Sequence, residues 1–465
     1  MRKKAILFGN SCSTGISSIS QNRIFSSTGL YMERPKININ KDLKLYAKNS
    51  IFVLLIFWTI ILFQLTVIKN IWGIESLSRI FNLSMTLILT IYAFNAISTQ
   101  GYNRNVWYFH IFPGLLIFFG LLINIVLNVI ENPTVFGYFS YLIPWVAFLS
   151  IPALIKTNSM NSEVLWRYFY YFMLITNILG IFEYFFVFSG IINFKILEIP
   201  NGIFLNGWFS ILHMLSNGTP HYRYYGCFGE SGDLAMWLLP AISYSFFYKK
   251  ILGLLVFLLG CYLTDSLGGF ISLSILIMIF AFISLNKRIK NIIFSFIFIT
   301  IILLALGLKF GTSLQSKFEE KGDSRIIRVD NFLNTMNNFS DIIINNPIGF
   351  HLYEKTESMK TNNFFYGSNF TLGNMLQIGG ISAFLGYTIY LILSISIALL
   401  SILRRKLSLE EKVVFSSLIV LLPFIFQRMT AWDSALYALL FAPSIIRILM
   451  KNNQINFNET THPIF

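Results

Sequence analysis

Residues 106–130 read VWYFHIFPGLLIFFGLLINIVLNVI, a run without a single Asp, Glu, Lys or Arg. About 20 consecutive apolar residues are enough for a helix to cross the hydrocarbon core of a membrane. Because lipid offers no hydrogen bonds to an open backbone, such a run is expected to form a helix, which satisfies its own peptide groups. The stretch therefore predicts a transmembrane helix.

The composition of the whole chain agrees with that prediction. Hydrophobic residues make up 55% of its 465 residues and charged residues only 12%, and the mean hydropathy is +0.65. Soluble globular domains carry about 25% charged residues, and disordered chains combine low hydrophobicity with high charge. Both classes are excluded, and the expected fold is an all-α, polytopic integral membrane protein.

Twelve stretches of the chain are apolar enough to be transmembrane helices. They lie at about 50–68, 80–97, 106–130, 133–155, 168–190, 233–248, 251–264, 266–286, 291–308, 373–402, 413–427 and 434–449. We expect about 12 transmembrane helices on this basis.

The distribution of positive charge predicts the orientation of these spans. Nine Lys and Arg residues lie within residues 1–48, and loops rich in Lys and Arg stay on the cytoplasmic side. If the chain crosses the membrane twelve times, both of its ends lie in the cytoplasm. The expected domains are a basic cytoplasmic tail over 1–48, a transmembrane domain over 49–450 and a short cytoplasmic tail over 451–465. Topology and the anionic inner leaflet then explain the net charge of +14, so nucleic acid is not an expected partner.

Two long segments between spans fall on the outer side, at about 191–232 and 309–372, whereas every cytoplasmic connection is short. In the second segment, apolar side chains recur at three- and four-residue spacing from Ser324 to Ile344. This pattern is typical of an amphipathic helix that lies at the membrane interface. Long outer loops favour chemistry on the extracytoplasmic side.

The three cysteines predict neither a disulfide framework nor a metal site, because no two of them have metal-ligand spacing. One bridge, between Cys227 and Cys261, stays open as an alternative. Four further charges, at Glu183, Asp265, Arg428 and Asp433, map near the outer ends of spans. A charge inside a membrane is costly, so each of these residues is a candidate for function.

The first long outer segment ends in His221-Tyr-Arg223-Tyr-Tyr-Gly226-Cys-Phe228-Gly-Glu230, immediately before the sixth span. An arginine here can hold a phosphate in a forked pair of hydrogen bonds. It can equally be an interfacial anchor between tyrosines. Glu230 is either the ion-pair partner of Arg223 or a base that removes a proton from a sugar hydroxyl.

Four short motifs together resemble the bacterial O-antigen polymerase and O-antigen ligase superfamily. Arg223-x-x-Gly226-x-Phe228-x-Glu230 is similar to the Arg-x-x-Gly-x-Phe-x-Glu-Pro pattern of many O-antigen and capsular polysaccharide polymerases, with Ser231 in place of the proline. The other three motifs are Thr264-Asp-Ser266-Leu267-Gly268-Gly269, Arg328 followed by Asn346-Pro347-Ile-Gly349, and Gly367-Ser-Asn369-Phe370 followed by Leu376-Gln-Ile-Gly379-Gly380.

The sequence departs from the family patterns at two further positions, and the departure at Ser368 puts a ligase role in doubt. Leu267 replaces the arginine of the family's Thr-x-Ser-Arg-Gly-Gly pattern. Ser368 stands where ligases generally carry the histidine thought to activate the acceptor. The match at Glu230 points in the same direction, since it belongs to the polymerase pattern.

The resemblance implies a polysaccharide polymerase, a glycosyltransferase at the outer face of the bacterial inner membrane. Such an enzyme joins polyprenyl-pyrophosphate-linked oligosaccharide repeat units by transferring the donor glycan to the non-reducing sugar hydroxyl of the acceptor, without a metal or other cofactor. The implied partners are undecaprenyl-pyrophosphate-linked repeat units, membrane lipids, and a chain-length regulator and a flippase of the same pathway.

The same resemblance assigns candidate roles to seven residues. The catalytic candidates are Arg223, Glu230, Arg328 and His351, and the substrate-binding candidates are Arg325, Asn369 and Tyr224. Arginines would stabilise the departing pyrophosphate, as preorganised charges do in other transferases. Glu230 or His351 would be the base for the acceptor hydroxyl.

Two other functions are compatible with the sequence. One is an O-antigen ligase that transfers glycan to lipid A core or protein, and the other is a flippase or transporter of lipid-linked oligosaccharide. A transporter is expected to bury ionisable residues near mid-membrane and to contain paired broken helices. Here the centres of the spans are almost free of charge, and arginines gather in the outer loops.

Overall fold

Apolar helices account for most of the residues that the computed structural model describes. These residues are 88, 90–91, 104–156, 161–191, 195–199, 202–215, 221–228, 230–284, 339–350, 371–403, 407–427 and 438–450. The helices with defined ends are α1 (Arg104–Glu131), α2 (Leu142–Lys156), α3 (Ser162–Phe188), α4 (Ser231–Phe247), α5 (Ile251–Leu263), α6 (Leu267–Ser284), α7 (Phe339–Asn345), α8 (Thr371–Leu403), α9 (Leu409–Gln427) and α10 (Ala438–Met450).

Four helical stretches of the described chain are long and apolar enough to cross a membrane. They are Arg104–Glu131, Tyr138–Lys156, Ser162–Phe188 and Thr371–Ile402. The first includes a π-helical segment, Trp107–Ile111, and a 3-10 segment, Pro133–Tyr141, leads into α2. Shorter apolar helices accompany them, and together they indicate a membrane protein.

Nine of the predicted spans coincide with described helices to within one or two turns. The predicted spans 50–68 and 291–308 lie outside the described residues, and 80–97 lies almost wholly outside them. The number twelve therefore stays a prediction. The domain boundaries at 48 and 450 are likewise untested.

The segment at about 191–232, which is predicted to lie on the outer side, contains a β-sheet that hydropathy did not predict. Four antiparallel strands, joined in chain order, make up this sheet: β1 (Lys195–Ile199), β2 (Gly202–Asn206), β3 (Ile211–Leu215) and β4 (His221–Gly226). The prediction of an all-α chain is therefore corrected for this segment. Strands of five or six residues are too short to appear in a search for runs of about 20 apolar residues.

The helix ends define two opposite ends of the structure. Helix α3 stops just before β1, and it starts beside Arg447 of α10, whose Nη1 lies 3.3 Å from Oγ of Ser162. The same Nη1 lies 3.1 Å from Oε2 of Glu410 in α9. Helix α8 ends at Leu403, a few residues before α9 begins beside Arg447. The last turn of α8 therefore lies at the end opposite the sheet, and its first turns lie toward the sheet. We refer to that side of the structure as the sheet end.

Helices α1 and α8 pack antiparallel through small residues. A Cβ added at Gly120 would lie 2.8 Å from the backbone nitrogen of Ala383, and one at Gly386 would also meet the backbone of α1. The hydroxyl of Ser382 donates a hydrogen bond of 2.7 Å to the carbonyl of Leu116. Small residues let transmembrane helices approach closely, and packing rather than hydrophobicity then holds them together.

A buried carboxylate joins the sheet to α3. Glu183 accepts hydrogen bonds from the backbone nitrogens of Trp208, at 2.8 Å, and Phe209, at 3.0 Å, and from the hydroxyl of Ser210, at 2.7 Å. These three donors form the turn between β2 and β3. A buried charge requires such partners. The hydrogen bonds of Glu183 therefore offset the cost of burying its carboxylate and hold the sheet against α3.

Replacing Glu183 by Gln tests this joint. The amide offers one acceptor oxygen where the carboxylate offers two, so one of the three donors is left unpaired. We expect a loss of about 1–3 kcal/mol of folding free energy, measured as a lower melting temperature of the purified protein in detergent.

The matched control is Glu163→Gln at the opposite end, where the carboxylate is half exposed. This variant is expected to melt with the parent. A Glu183→Gln protein that also melted with the parent would show that the carboxylate does not hold the sheet.

Candidate functional site

The Arg-x-x-Gly-x-Phe-x-Glu motif forms the connection between β4 and α4. Gly226 has a φ of +55°, and the backbone nitrogen of Phe228 donates to the carbonyl of Tyr225 at 3.2 Å. The left-handed conformation favours glycine, which has no Cβ to collide with the backbone. Phe228 then stacks on Trp237 of α4 with ring centroids 6.3 Å apart. The motif therefore fixes the path by which the strand enters the helix.

Glu230 occupies the N-cap position of α4 and is exposed. Its backbone carbonyl accepts the first hydrogen bond of the helix, from the nitrogen of Leu234 at 3.2 Å. A carboxylate beside a helix N-terminus is stabilised by the helix dipole. The structure thus leaves this carboxylate accessible at the sheet end.

Arg223 reaches from β4 to the turn between α5 and α6. Its Nη2 donates a 2.8 Å hydrogen bond to the main-chain carbonyl of Asp265, and its Nε lies 3.9 Å from Oδ2 of the same residue. The two side chains are only 13% and 3% exposed. Of the carboxylates considered from the sequence, Asp265 is the ion-pair partner that the structure gives to Arg223.

The turn that carries Asp265 belongs to a second motif, Thr264-Asp265-Ser266. The hydroxyl of Thr264 donates to a carbonyl in the last turn of α5 at 2.7 Å, and the hydroxyl of Ser266 accepts from the nitrogen of Gly269 at 3.3 Å, which caps the start of α6. Asp265 has a φ of +49°, a conformation in which Asp and Asn are enriched among non-glycine residues. The conformation and hydrogen bonds of this turn place Asp265 beside Arg223.

Tyr224 packs β4 onto α3 and is fully buried. Its hydroxyl occupies the space that a side chain at Gly180 would need, and it lies 3.5 Å from Oδ1 of Asn177. Burial raises the pKa of the Tyr224 phenol well above its ordinary value, so the group is protonated at neutral pH. These contacts pack β4 against α3, and the assignment of Tyr224 to substrate binding stays a prediction.

Cys227 and Cys261 are both free thiols in the interior, so the bridge left open by the sequence is not formed. Burial raises the pKa of the Cys227 thiol to about 12. Because the thiolate is the nucleophilic form, the arrangement does not favour covalent catalysis through this cysteine.

The other two motifs meet at a break in α8. Gly380 has φ +63° and ψ −162°, which interrupts the helix. The loop after α7 lies in this break, where the nitrogen of Phe350 donates to the carbonyl of Gln377 at 2.8 Å and the nitrogen of Ile381 donates to the carbonyl of Pro347 at 2.9 Å. A broken helix inside a membrane needs substitutes for its missing hydrogen bonds, and this loop supplies them.

Helix α1 completes this contact. Asn124 donates from Nδ2 to the carbonyl of Ile378 at 2.7 Å and to that of Phe350 at 3.4 Å. Its Oδ1 accepts from Nδ2 of Asn128 at 2.8 Å. Gly349 has a φ of +117°, and a Cβ there would lie 2.8 Å from Nδ2 of Asn124. Buried amides thus bind the loop and the helix break to α1.

The four motifs therefore make two contacts, both at the sheet end. Three predicted site residues are described, namely Arg223, Tyr224 and Glu230. The other four predicted site residues lie outside the described residues, and they are Arg325, Arg328, His351 and Asn369. Arg428, Asp433 and most of the amphipathic helix predicted from Ser324 to Ile344 also lie outside them. Helix α7 overlaps the C-terminal part of that predicted helix.

Replacing Gly380 by Ala tests the second contact. Its backbone conformation is open essentially to glycine alone, which costs another residue about 1–3 kcal/mol, and a Cβ would also collide with the backbone of Ile348. We expect a marked loss of folded protein, measured by size-exclusion chromatography in detergent. Gly190→Ala is the matched control, because Gly190 has a φ of +70° but no atom within 4 Å of the added Cβ. Equal losses of folded protein from the two substitutions would contradict the close contact between the break in α8 and the loop after α7.

Among the described residues, no group of three His, Cys, Asp or Glu side chains is arranged to hold a metal ion. Comparison of the chain with protein-family models, with curated proteins and with solved structures found no match.

Proposed function

We propose that the protein is a membrane glycosyltransferase that joins polyprenyl-pyrophosphate-linked oligosaccharide repeat units at the outer face of the bacterial inner membrane. The observation that carries this proposal is the contact between the first two motifs. It fixes a largely buried guanidinium at the sheet end, seven residues before an exposed carboxylate at the start of α4.

The reaction needs a cation that is already in place. The hydroxyl oxygen of the acceptor sugar attacks the anomeric carbon of the donor, and the bond from that carbon to the pyrophosphate oxygen breaks. The lipid pyrophosphate leaves with the electron pair. In a poorly solvated interface, a preorganised guanidinium stabilises this charge more strongly than it would in water. Arg223 supplies such a group, because arginine stays charged and can bind phosphate through two donors.

Asp265 orients Arg223 without capturing its whole guanidinium. The main-chain carbonyl of Asp265 holds Nη2, whereas the carboxylate oxygen lies 3.9 Å from Nε. That separation is longer than a hydrogen bond, and Nε has no hydrogen-bond partner among the described residues. The guanidinium is therefore fixed in position by the hydrogen bond from Nη2, while its Nε is buried beside the carboxylate.

The proton of the acceptor hydroxyl must pass to a base. We assign this role to Glu230, which is exposed at the N-terminus of α4, and His351 is the second candidate. Arg325 and Arg328 are proposed as further ligands of the pyrophosphate, and Asn369 as a contact to the substrate. The roles of these five residues rest on the sequence motifs and their resemblance.

The charge distribution supports an extracytoplasmic sheet end. The helix ends on the opposite side carry the basic residues Lys156, Arg167, Lys249, Lys250 and Arg447. Cytoplasmic loops retain Lys and Arg, so that side is proposed to face the cytoplasm. The sheet and both motif contacts then face the compartment in which lipid-linked repeat units are polymerised.

Deletion of the gene distinguishes a polymerase from the two alternatives, by gel analysis of surface polysaccharide. Loss of a polymerase leaves a single repeat on the final acceptor. Loss of a ligase lets long lipid-linked chains accumulate, and loss of a flippase retains the lipid-linked repeat on the cytoplasmic side. A ladder of unchanged length would contradict the proposed function.

Arg223→Ala, expressed in the deletion strain, is expected to reduce polymerised glycan on the order of 100-fold or more, as loss of a preorganised donor does elsewhere. Arg223→Lys keeps the positive charge but lacks the paired donors of the guanidinium, so it should be more active than Arg223→Ala and less active than the parent. Both are measured by gel at matched protein level.

Arg447→Ala is the matched control, since it removes an arginine that is also paired with a carboxylate, but at the opposite end. Its ladder should equal that of the parent. A parental ladder from Arg223→Ala would remove the arginine from the mechanism.

A further inference from the structure

Gln377 carries a buried primary amide in the first turns of α8. Its side chain is 3% exposed, and neither Nε2 nor Oε1 has a hydrogen-bond partner among the described residues. Its main-chain carbonyl, by contrast, accepts a hydrogen bond of 2.8 Å from Phe350. The backbone of Gln377 is therefore held in place while its amide is left without partners.

An amide in this condition is unfavourable for stability. Most buried polar groups in proteins have at least one hydrogen-bond partner, and an unpaired one loses its hydration without compensation. Leucine at the same place would fill a similar volume without that loss. An amide that is present in spite of its cost points to a ligand that completes its hydrogen bonds.

The neighbouring amides show that the helix break does not use Gln377. Asn124 binds the carbonyls of Ile378 and Phe350, and Asn128 binds Asn124. The backbone groups of the break are paired by these amides and by the loop after α7. The side chain of Gln377 takes part in none of these contacts, so a role in the interlock does not account for it.

We propose that the amide of Gln377 binds a hydroxyl group of the glycan on the lipid-linked substrate, an inference that rests on the proposed function. A primary amide offers two donors and an acceptor, and a sugar hydroxyl is both a donor and an acceptor. The amide is neutral, so it discriminates for the glycan and not for the pyrophosphate. Gln377 is thereby a specificity residue, distinct from the anion-binding Arg223.

The positions of the two residues suit different parts of one large substrate. Gln377 and Arg223 both lie at the sheet end, but on separate helix groups. Helix α9 packs against α8 on one side and also against α4 and α6, which flank the Arg223 contact. A lipid-linked oligosaccharide can place its pyrophosphate at one group and a sugar at the other.

Two lipids separate the contributions of glycan and pyrophosphate to binding. One is undecaprenyl pyrophosphate without sugar, and the other is the undecaprenyl-pyrophosphate-linked repeat extracted from the deletion strain. Affinities are measured for the full-length protein in nanodiscs. Gln377→Leu should bind the bare lipid like the parent and the glycan-linked lipid about tenfold more weakly, the effect of one lost hydrogen bond. Arg223→Ala should bind both lipids more weakly.

Melting temperatures separate a binding role from a structural one. Gln377→Leu is expected to melt at or above the temperature of the parent, because it replaces an unpaired amide by an apolar group of similar size. Asn124→Leu, which removes an amide that is in use, should melt at a lower temperature. Unchanged affinity of Gln377→Leu for the glycan-linked lipid, or a melting temperature lowered as in Asn124→Leu, would overturn the inference. A parent that bound neither lipid would instead overturn the proposed function, and the inference with it.

Discussion

Lipid offers no hydrogen bonds, so a polar group among the helices of this chain is costly unless it finds a partner. Three joints satisfy this constraint. Glu183 collects the donors of the turn between β2 and β3, Asn124 and the loop after α7 pair the open groups of the α8 break, and the turn at Asp265 receives Arg223. Each joint ties a segment outside the long helices to the helices themselves.

The motifs that resemble those of polysaccharide polymerases have a structural role in satisfying this constraint, in addition to the chemical role proposed for them. Gly226, Gly349 and Gly380 all adopt left-handed backbone conformations at points where the chain turns or breaks. The Thr264-Asp265-Ser266 turn places a carbonyl within hydrogen-bond distance of the Arg223 guanidinium. The proposed anion site is thus a product of packing, and its preorganisation is what a reaction with a departing pyrophosphate would use.

The helices could be predicted from the sequence, because a run of about 20 apolar residues has few alternatives in a membrane. The sheet could not, since its strands of five or six residues carry no comparable signal. Arg223 was identified from its motif, but its partner was not, because Asp265 lies 42 residues away in the chain. Gln377 lies in one of the quoted motifs but could be given no role from the sequence, because a single amide in an apolar span shows its missing partners only in three dimensions.

The central claim is that the protein forms glycosidic bonds at the expense of a lipid pyrophosphate. Its most direct test is to incubate the purified protein in liposomes with the isolated undecaprenyl-pyrophosphate-linked repeat, and to measure glycan length and released undecaprenyl pyrophosphate together. The account predicts glycans longer than one repeat, with one undecaprenyl pyrophosphate released for each bond formed. Glycans that stay at a single repeat, with no release, would contradict it.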